Sequence, residues 1–186
     1  KMQAENEPVI YSAWSKDYNT RITSTSGGFF GVIAKNVIEN GGSVAGCRYT
    51  KDWKAAEHVI VRNLEELEEI RGSKYFQSNT EGIYCEVKKE LEKGKGVLFC
   101  GTPCQIAALK MYLGKEYENL ILVDFICRSI NSPLAFREYI CELEEKYNST
   151  VKSVQLKNKD TGWQSLASKV VFANGKKSHR TKENDF

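Results

Sequence analysis

A chain of 186 residues, 41% hydrophobic, 27% charged and 11% aromatic, is long enough to bury a core and suits one domain, or one domain with a small appendage. Only 3 prolines and no low-complexity run exclude a disordered, collagenous or linker-dominated chain. Lys+Arg 27 against Asp+Glu 24, interleaved along the chain, leaves +3, too little to favour nucleic acid or a membrane surface as partner; no apolar run reaches the roughly 18–20 residues of a bilayer span, so a soluble, cytoplasmic protein is expected.

Residues 9–14 (VIYSAW) read as a strand entering a polar loop that runs to Gly28. Phe29, Phe30, Val32, Ile33, Val37 and Ile38 then make a helical stripe, closed by Gly41 and Gly42. Residues 43–49 and 56–61 read as strands about a turn near Lys51 and Asp52. Asn63 caps an acidic helix over 64–70, whose early carboxylates suit the positive end of the helix dipole. An irregular stretch after Arg71 and Gly72 leads to a helix from about Ile83 to Lys93, broken at Gly94. Residues 97–100 form a short apolar run bounded by glycines, as a buried strand would, and Pro103 is well placed to open a helix over 104–113. Residues 120–127 (LILVDFIC) are apolar at nearly every position, which predicts a strand covered on both faces. Ser132 and Pro133 start a helix to about Tyr147. After it, residues 151–156, 166–173 and a segment beyond Asn174-Gly175 read as antiparallel strands, with Asn-Gly as a hairpin turn.

Strands alternating with helices through residue 147 give the fold class: α/β, a mixed sheet flanked by helices, with a β-rich, partly antiparallel C-terminal part expected to form an edge of that sheet. The boundaries are an α/β core over 1–150 and a β-rich segment over 151–186. The chain stops at Phe186 with no terminating signal, so we expect it to be cut from a longer one.

Six cysteines (47, 85, 100, 104, 127 and 141) fall mostly in apolar runs, and without a signal peptide a disulfide scaffold is not expected. Buried small thiols are the simplest reading for most of them. Two stand out. Cys104 follows Gly101-Thr102-Pro103 in the first turn of a helix, where the field lowers a thiol pKa, and Cys127 ends an apolar strand. If those strands are neighbours, both thiols project into one crevice at the carboxyl end of the sheet, where ligands of open α/β sheets bind. Two thiolates plus others could hold an iron–sulfur cluster. Alternation points Cys100 away from that crevice. Ser24, Thr25, Ser26, Gly27 and Gly28 precede a helix and could cradle a phosphate, but the stretch is neither a P-loop nor a dinucleotide fingerprint. Residues 71–78 (RGSKYFQS) offer donors and flat aromatics, as a phosphate and a ring system would need, or simply a solvated connection. His58 and His179 have no partner at ligand or triad spacing and read as structural or exposed.

Taken in order, Arg21 with residues 24–28, then 71–78, then 101–109 (GTPCQIAAL), then 123–127 (VDFIC) with Ser132-Pro133 resemble the coenzyme F420 hydrogenase/dehydrogenase beta-subunit family. The resemblance implies an oxidoreductase that passes electrons between an iron–sulfur centre, FAD and an acceptor. It implies FAD contacts at Ser24, Ser26, Gly27, Gly28, Lys74, Tyr75, Gln77, Ser78, Gly101 and Thr102, and cluster ligation by Cys104 and Cys127. The implied partners are an iron–sulfur electron donor protein or domain and a small-molecule acceptor. A 4Fe–4S cluster is implied for a full-length protein but not expected in this chain, since two matched thiolates fall short of the usual four. Where the family commonly has His-Gly-Val-Pro, this chain has Arg128, Ser129, Ile130 and Asn131. The alternatives are a cofactor-free binding or scaffold module of the same fold, linked to polysaccharide synthesis, and an enzyme using Cys104 as nucleophile.

Overall fold

The structure, a computed structural model, describes residues 10–163 and 167–181. Of the strand expected over 9–14, Val9 lies outside the described residues and residues 10–14 form no strand. Ile10 and Tyr11 are 87% and 83% exposed, so this apolar run has no sheet to join. The polar loop after it contains a short helix instead, α1 (Tyr18–Thr23), started by Asp17, whose carboxylate accepts from the Thr20 amide at 2.7 Å.

The next elements follow the hydrophobic pattern. Helix α2 (Phe29–Glu39) leads into β1 (Ser43–Tyr49), which pairs antiparallel with β2 (Ala56–Val61). Asn63 caps α3 (Leu64–Ile70) by accepting from the Glu66 amide at 2.8 Å. Then come α4 (Ile83–Glu92), β3 (Val97–Gly101), α5 (Pro103–Leu113), β4 (Leu120–Asp124) and α6 (Pro133–Tyr147). The sheet runs β2-β1-β3-β4, with β1, β3 and β4 mutually parallel and β2 the antiparallel edge.

Alternation along β3 sorts the helices into two layers. Val97 and Phe99 face Ile83, Val87 and Leu91 of α4 and Ile106, Leu109 and Leu113 of α5. Leu98, between them, faces Ala34, Val37 and Ile38 of α2 and Leu67 and Ile70 of α3. Each of these valine, leucine, isoleucine and phenylalanine side chains, removed fully from water, contributes about 1.5–3 kcal/mol. The expected strand over 120–127 is a correction. It ends at Asp124, forms the other edge of the sheet, and leaves Ile121, Phe125 and Ile126 at 46%, 52% and 95% exposure. An unbroken apolar run can mean a central strand, but only the pairing order says whether helices cover both faces.

The C-terminal strands do not extend that sheet. Strands β5 (Val151–Asn158), β6 (Ala167–Phe172) and β7 (Lys177–Thr181) form a separate antiparallel sheet in the order β5-β6-β7. Asn174-Gly175 makes the expected hairpin turn, with Gly175 at φ +82° and its amide bonded to the Phe172 carbonyl at 3.0 Å. A third apolar cluster joins the two sheets: Phe136, Ile140 and Leu143 of α6, Val151, Val154, Val170 and Phe172 of the second sheet, and Ala56 and Phe76 from the first part of the chain.

Candidate functional site

The parallel strands end together, and there the surface opens into a cleft of about 630 Å³. Gly46 and Cys47 of β1, Cys100 and Gly101 of β3, and Val123 and Asp124 of β4 form its floor. Two irregular segments form the walls. Residues 24–26 and 28–31 stand on one side, residues 71–78 beside them, and Phe125, Ile126 and Ile130 supply an apolar lip.

The two segments singled out in the sequence meet here. The Ser73 amide donates to Thr25 Oγ1 at 2.9 Å. Arg71 Nη2 reaches Thr23 Oγ1 at 2.8 Å, Ser24 Oγ at 3.1 Å and the Thr20 carbonyl at 3.2 Å, while Nη1 is held by Glu68 at 2.7 Å. Arg71 Nε, buried, has no partner among the described residues. Of the residues the resemblance implies for FAD, Ser24, Ser26, Gly28, Lys74, Tyr75, Gln77, Ser78, Gly101 and Thr102 line the cleft. Gly27 does not. It sits behind, its carbonyl accepting from the Ser15 amide at 2.8 Å, and a Cβ there would lie 3.0 Å from Trp14 Cβ. Gly28 starts α2 at φ +82°, a conformation that glycine adopts freely.

Lys74 bends under its own loop, donating to the Arg71 carbonyl at 3.0 Å and the Glu69 carbonyl at 3.3 Å, with its ammonium 5.5 Å from the Tyr49 ring centre. Burial pushes its amine down to about 8, against the smaller opposing influence of the Cys47 and Cys100 thiols.

Beneath the floor runs a buried polar chain. Gln105 Nε2 donates to Ser78 Oγ at 3.0 Å, and Ser78 lies 3.0 Å from His58 Nδ1. His58 Nε2 lies 3.1 Å from the Cys100 carbonyl. A carbonyl can only accept, so Nε2 carries the proton and Nδ1 accepts from Ser78. Burial lowers the His58 pKa, which keeps the ring neutral, and the ring stacks on Phe99 with centres 5.5 Å apart. Gln105 closes the chain by accepting from the Thr102 amide through Oε1 at 3.0 Å.

His58 therefore has a place in the site that no spacing announced, because Ser78 lies in an irregular stretch and Cys100 acts through its carbonyl. Cys47, Cys100 and Lys157 also line the cleft unforeseen. Alternation along β3 holds at Cys100, which packs with Leu98 on the α2 and α3 face; what changes is the crevice, since that face borders the cleft with Cys127 whereas Cys104 does not line it. Burial pushes the Cys100 thiol up to about 12, and burial also raises Cys47, so both are protonated thiols at neutral pH.

The two cysteines implied for cluster ligation are placed differently from each other. Cys127 lines the cleft three residues past the end of β4, not on a strand; Cys104, in the first turn of α5, does not line it. Both are exposed, Cys104 Sγ lying 3.0 Å from Thr102 Oγ1 and Cys127 Sγ 4.0 Å from the Ser129 carbonyl. Among the described residues no group of three or more His, Cys, Asp or Glu side chains could hold a metal ion. The described residues thus do not fit an iron–sulfur cluster.

Two family models divide the chain. Residues 10–84 match the N-terminal model of the coenzyme F420 hydrogenase/dehydrogenase beta subunit, and residues 94–185 match the C-terminal model. The chain belongs to the coenzyme F420 hydrogenase/dehydrogenase beta-subunit family. The junction between the two models, residues 85–93, falls within and just after α4, so the parallel sheet of this beta-subunit relative is assembled across both. Among solved structures it is similar to a chain of the F420-reducing NiFe hydrogenase complex from Methanosarcina barkeri, studied by xenon derivatization, with TM-score 0.59 and 16% identity. That match covers 91% of this chain and 59% of the other, and at this identity it speaks for the fold alone. No curated protein matches the chain. Among the described residues no helix is long and apolar enough to cross a membrane.

Proposed function

We propose that this beta-subunit relative is a flavin-dependent oxidoreductase and that the cleft receives FAD. The observation that carries the reading is the convergence of residues 24–28 and 71–78, joined by the Ser73–Thr25 and Arg71–Ser24 bonds, at the carboxyl ends of three parallel strands. A dinucleotide needs donors for its pyrophosphate and a flat, partly apolar wall for its ring system. Hydroxyls of Ser24, Thr25 and Ser26, the unpartnered Arg71 Nε and the Lys74 amine stand for the first. Tyr75, Phe125, Ile126 and Ile130 stand for the second. Gly101, where a Cβ would lie 3.0 Å from both Phe99 Cε1 and Gln105 Oε1, lets Gln105 pack closely against the end of β3 at the cleft floor.

Bound FAD would supply hydride and single-electron chemistry. The chain's own residues bind, orient and shield. Lys74 offers a cation below about pH 8. Neutral His58, its tautomer fixed by Ser78 and the Cys100 carbonyl, keeps the floor rigid and uncharged. The protonated Cys47 and Cys100 thiols add no negative charge against a phosphate or a reduced ring. A reading with Cys104 as nucleophile gains no base here, since both nitrogens of His58 are already engaged. The electron donor is proposed as a separate iron–sulfur protein or domain, and the acceptor as a small molecule such as a deazaflavin.

The test is reconstitution. Wild-type protein incubated with FAD and desalted should retain flavin absorbance, and Lys74→Ala and Tyr75→Ala, both at residues lining the cleft, should each reduce retention. Wild-type protein that retains no flavin overturns the reading in favour of a cofactor-free binding module. Retention unchanged in both variants overturns the site assignment.

A further inference from the structure

Lys159, just beyond β5, is 7% exposed although it is a lysine on a connecting loop. Its ammonium donates to the Arg21 carbonyl and the Ser26 carbonyl, both at 2.9 Å, and lies 3.6 Å from the centre of the Trp163 ring. These contacts join the second sheet to a segment more than a hundred residues earlier in the chain. They also complete the fastening of the cleft wall. Arg71 and Ser73 hold the Ser24–Thr25 half of the loop from one side, and Lys159 holds Ser26 from the other.

The backbone consequence is specific. A trans peptide points its C=O and N–H in opposite directions, so fixing the Ser26 carbonyl on Lys159 also fixes the direction of the Gly27 amide. The Arg21 carbonyl, on the same ammonium, sets the end of α1 relative to that peptide. We infer that Lys159 is a positioning residue of the cleft: it makes no ligand contact itself, but holds residues 21–27 in the shape in which the 24–28 loop receives a phosphate-bearing ligand. This rests on the flavin reading above. Burying an ammonium is costly unless its donors are used, and here two carbonyls and the negative face of an indole use them. Desolvation by burial lowers the Lys159 pKa, so the latch has a cost that a merely convenient contact would not carry.

The experiment compares wild type, Lys159→Met and Lys159→Arg, each titrated with FAD, FMN and riboflavin, with backbone hydrogen exchange followed in the ligand-free proteins. Methionine keeps the stem and its packing but removes the charge. Lys159→Met should weaken FAD and FMN by about tenfold or more while changing riboflavin, which has no phosphate, by less than about twofold. Amides over 21–28 should exchange about tenfold faster in it, with Lys159→Arg recovering part of both losses. Equal loss for all three flavins, or unchanged exchange over 21–28, overturns the inference. If wild type binds FAD and Lys159→Met binds it as tightly, only the role of Lys159 falls. If wild type binds none of the three, the flavin reading falls and takes this role with it.

Discussion

Lys74 carries the plainest pH signature in the cleft. Its amine is pushed down from 10.5 to about 8, so the folded chain binds fewer protons than the unfolded one between those values, and this group adds stability as pH rises through that window. Anion binding has the opposite dependence. A phosphate paired with Lys74 favours the charged form, so affinity should fall as pH rises past about 8, and binding near pH 8.5 should take up a fraction of a proton. Calorimetry in two buffers of different ionisation heat reads that uptake directly; Lys74→Met should abolish it, and uptake that persists in the variant would remove Lys74 from the site. Ser78 makes a second prediction at this scale. Ser78→Ala strands Gln105 Nε2 and His58 Nδ1 in a buried setting, and should cost about 1–3 kcal/mol in urea unfolding. A cost below about 0.5 kcal/mol would mean that the chain beneath the floor is not held as described.

At the scale of elements, the turn from α2 into β1 is the tightest joint in the parallel half. Gly42 is buried, and a Cβ on it would meet Gly96 O at 2.6 Å, Val37 Cγ1 at 2.7 Å and Val37 O at 2.9 Å. Two of those atoms are backbone and cannot swing away. Gly42→Ala should therefore destabilise by about 1–3 kcal/mol through overpacking, at a residue whose φ is not in the left-handed region. The far edge of the same sheet behaves differently. Ile126 is 95% exposed beyond the end of β4, so Ile126→Ser should move the denaturation midpoint by no more than about 0.5 kcal/mol, whereas Leu98→Ala in β3 should cost about 2–5 kcal/mol. Equal effects at the two positions would contradict the exposed placement of Ile126 past β4.

Over the whole molecule, the stacked pair Phe76 and Phe136, centres 3.9 Å apart and 12° from parallel, ties the cleft wall to the second sheet. Phe76 belongs to the 71–78 segment, and Phe136 sits on α6 among side chains of β5 and β6. The isolated pairing of Phe76 with Asn131 holds the same wall to the loop before α6. Phe136→Ala should cost about 3–5 kcal/mol and also loosen the wall that carries Lys74 and Tyr75. Flavin affinity should then fall more than in Ile140→Val, a core substitution on the same helix that leaves the stack intact. Matched affinities in the two variants would show that the joint serves stability alone.

The amino-acid sequence by itself determined most of the elements, because their causes are local. Asn63 ahead of an acidic run, Pro103 and Pro133 at helix starts, and Asn174-Gly175 between alternating strands act within a few residues, and α3, α5, α6 and the β6–β7 turn stand where those signals put them. The two segments that meet at the cleft were also legible as candidates, since hydroxyls, glycines and a lysine announce themselves by type. What required the tertiary structure was everything that depends on neighbours distant along the chain. The apolar run 120–127 and the run 9–14 have strand composition, but burial depends on which strand or helix lies alongside, and that made one an exposed edge and left residues 10–14 unpaired. The C-terminal strands have edge-strand patterning in either arrangement, and packing against α6 gave them a sheet of their own. His58, Cys100 and Lys159 entered the cleft or its support through partners 20 to 138 residues away, at separations where sequence spacing holds no geometric information.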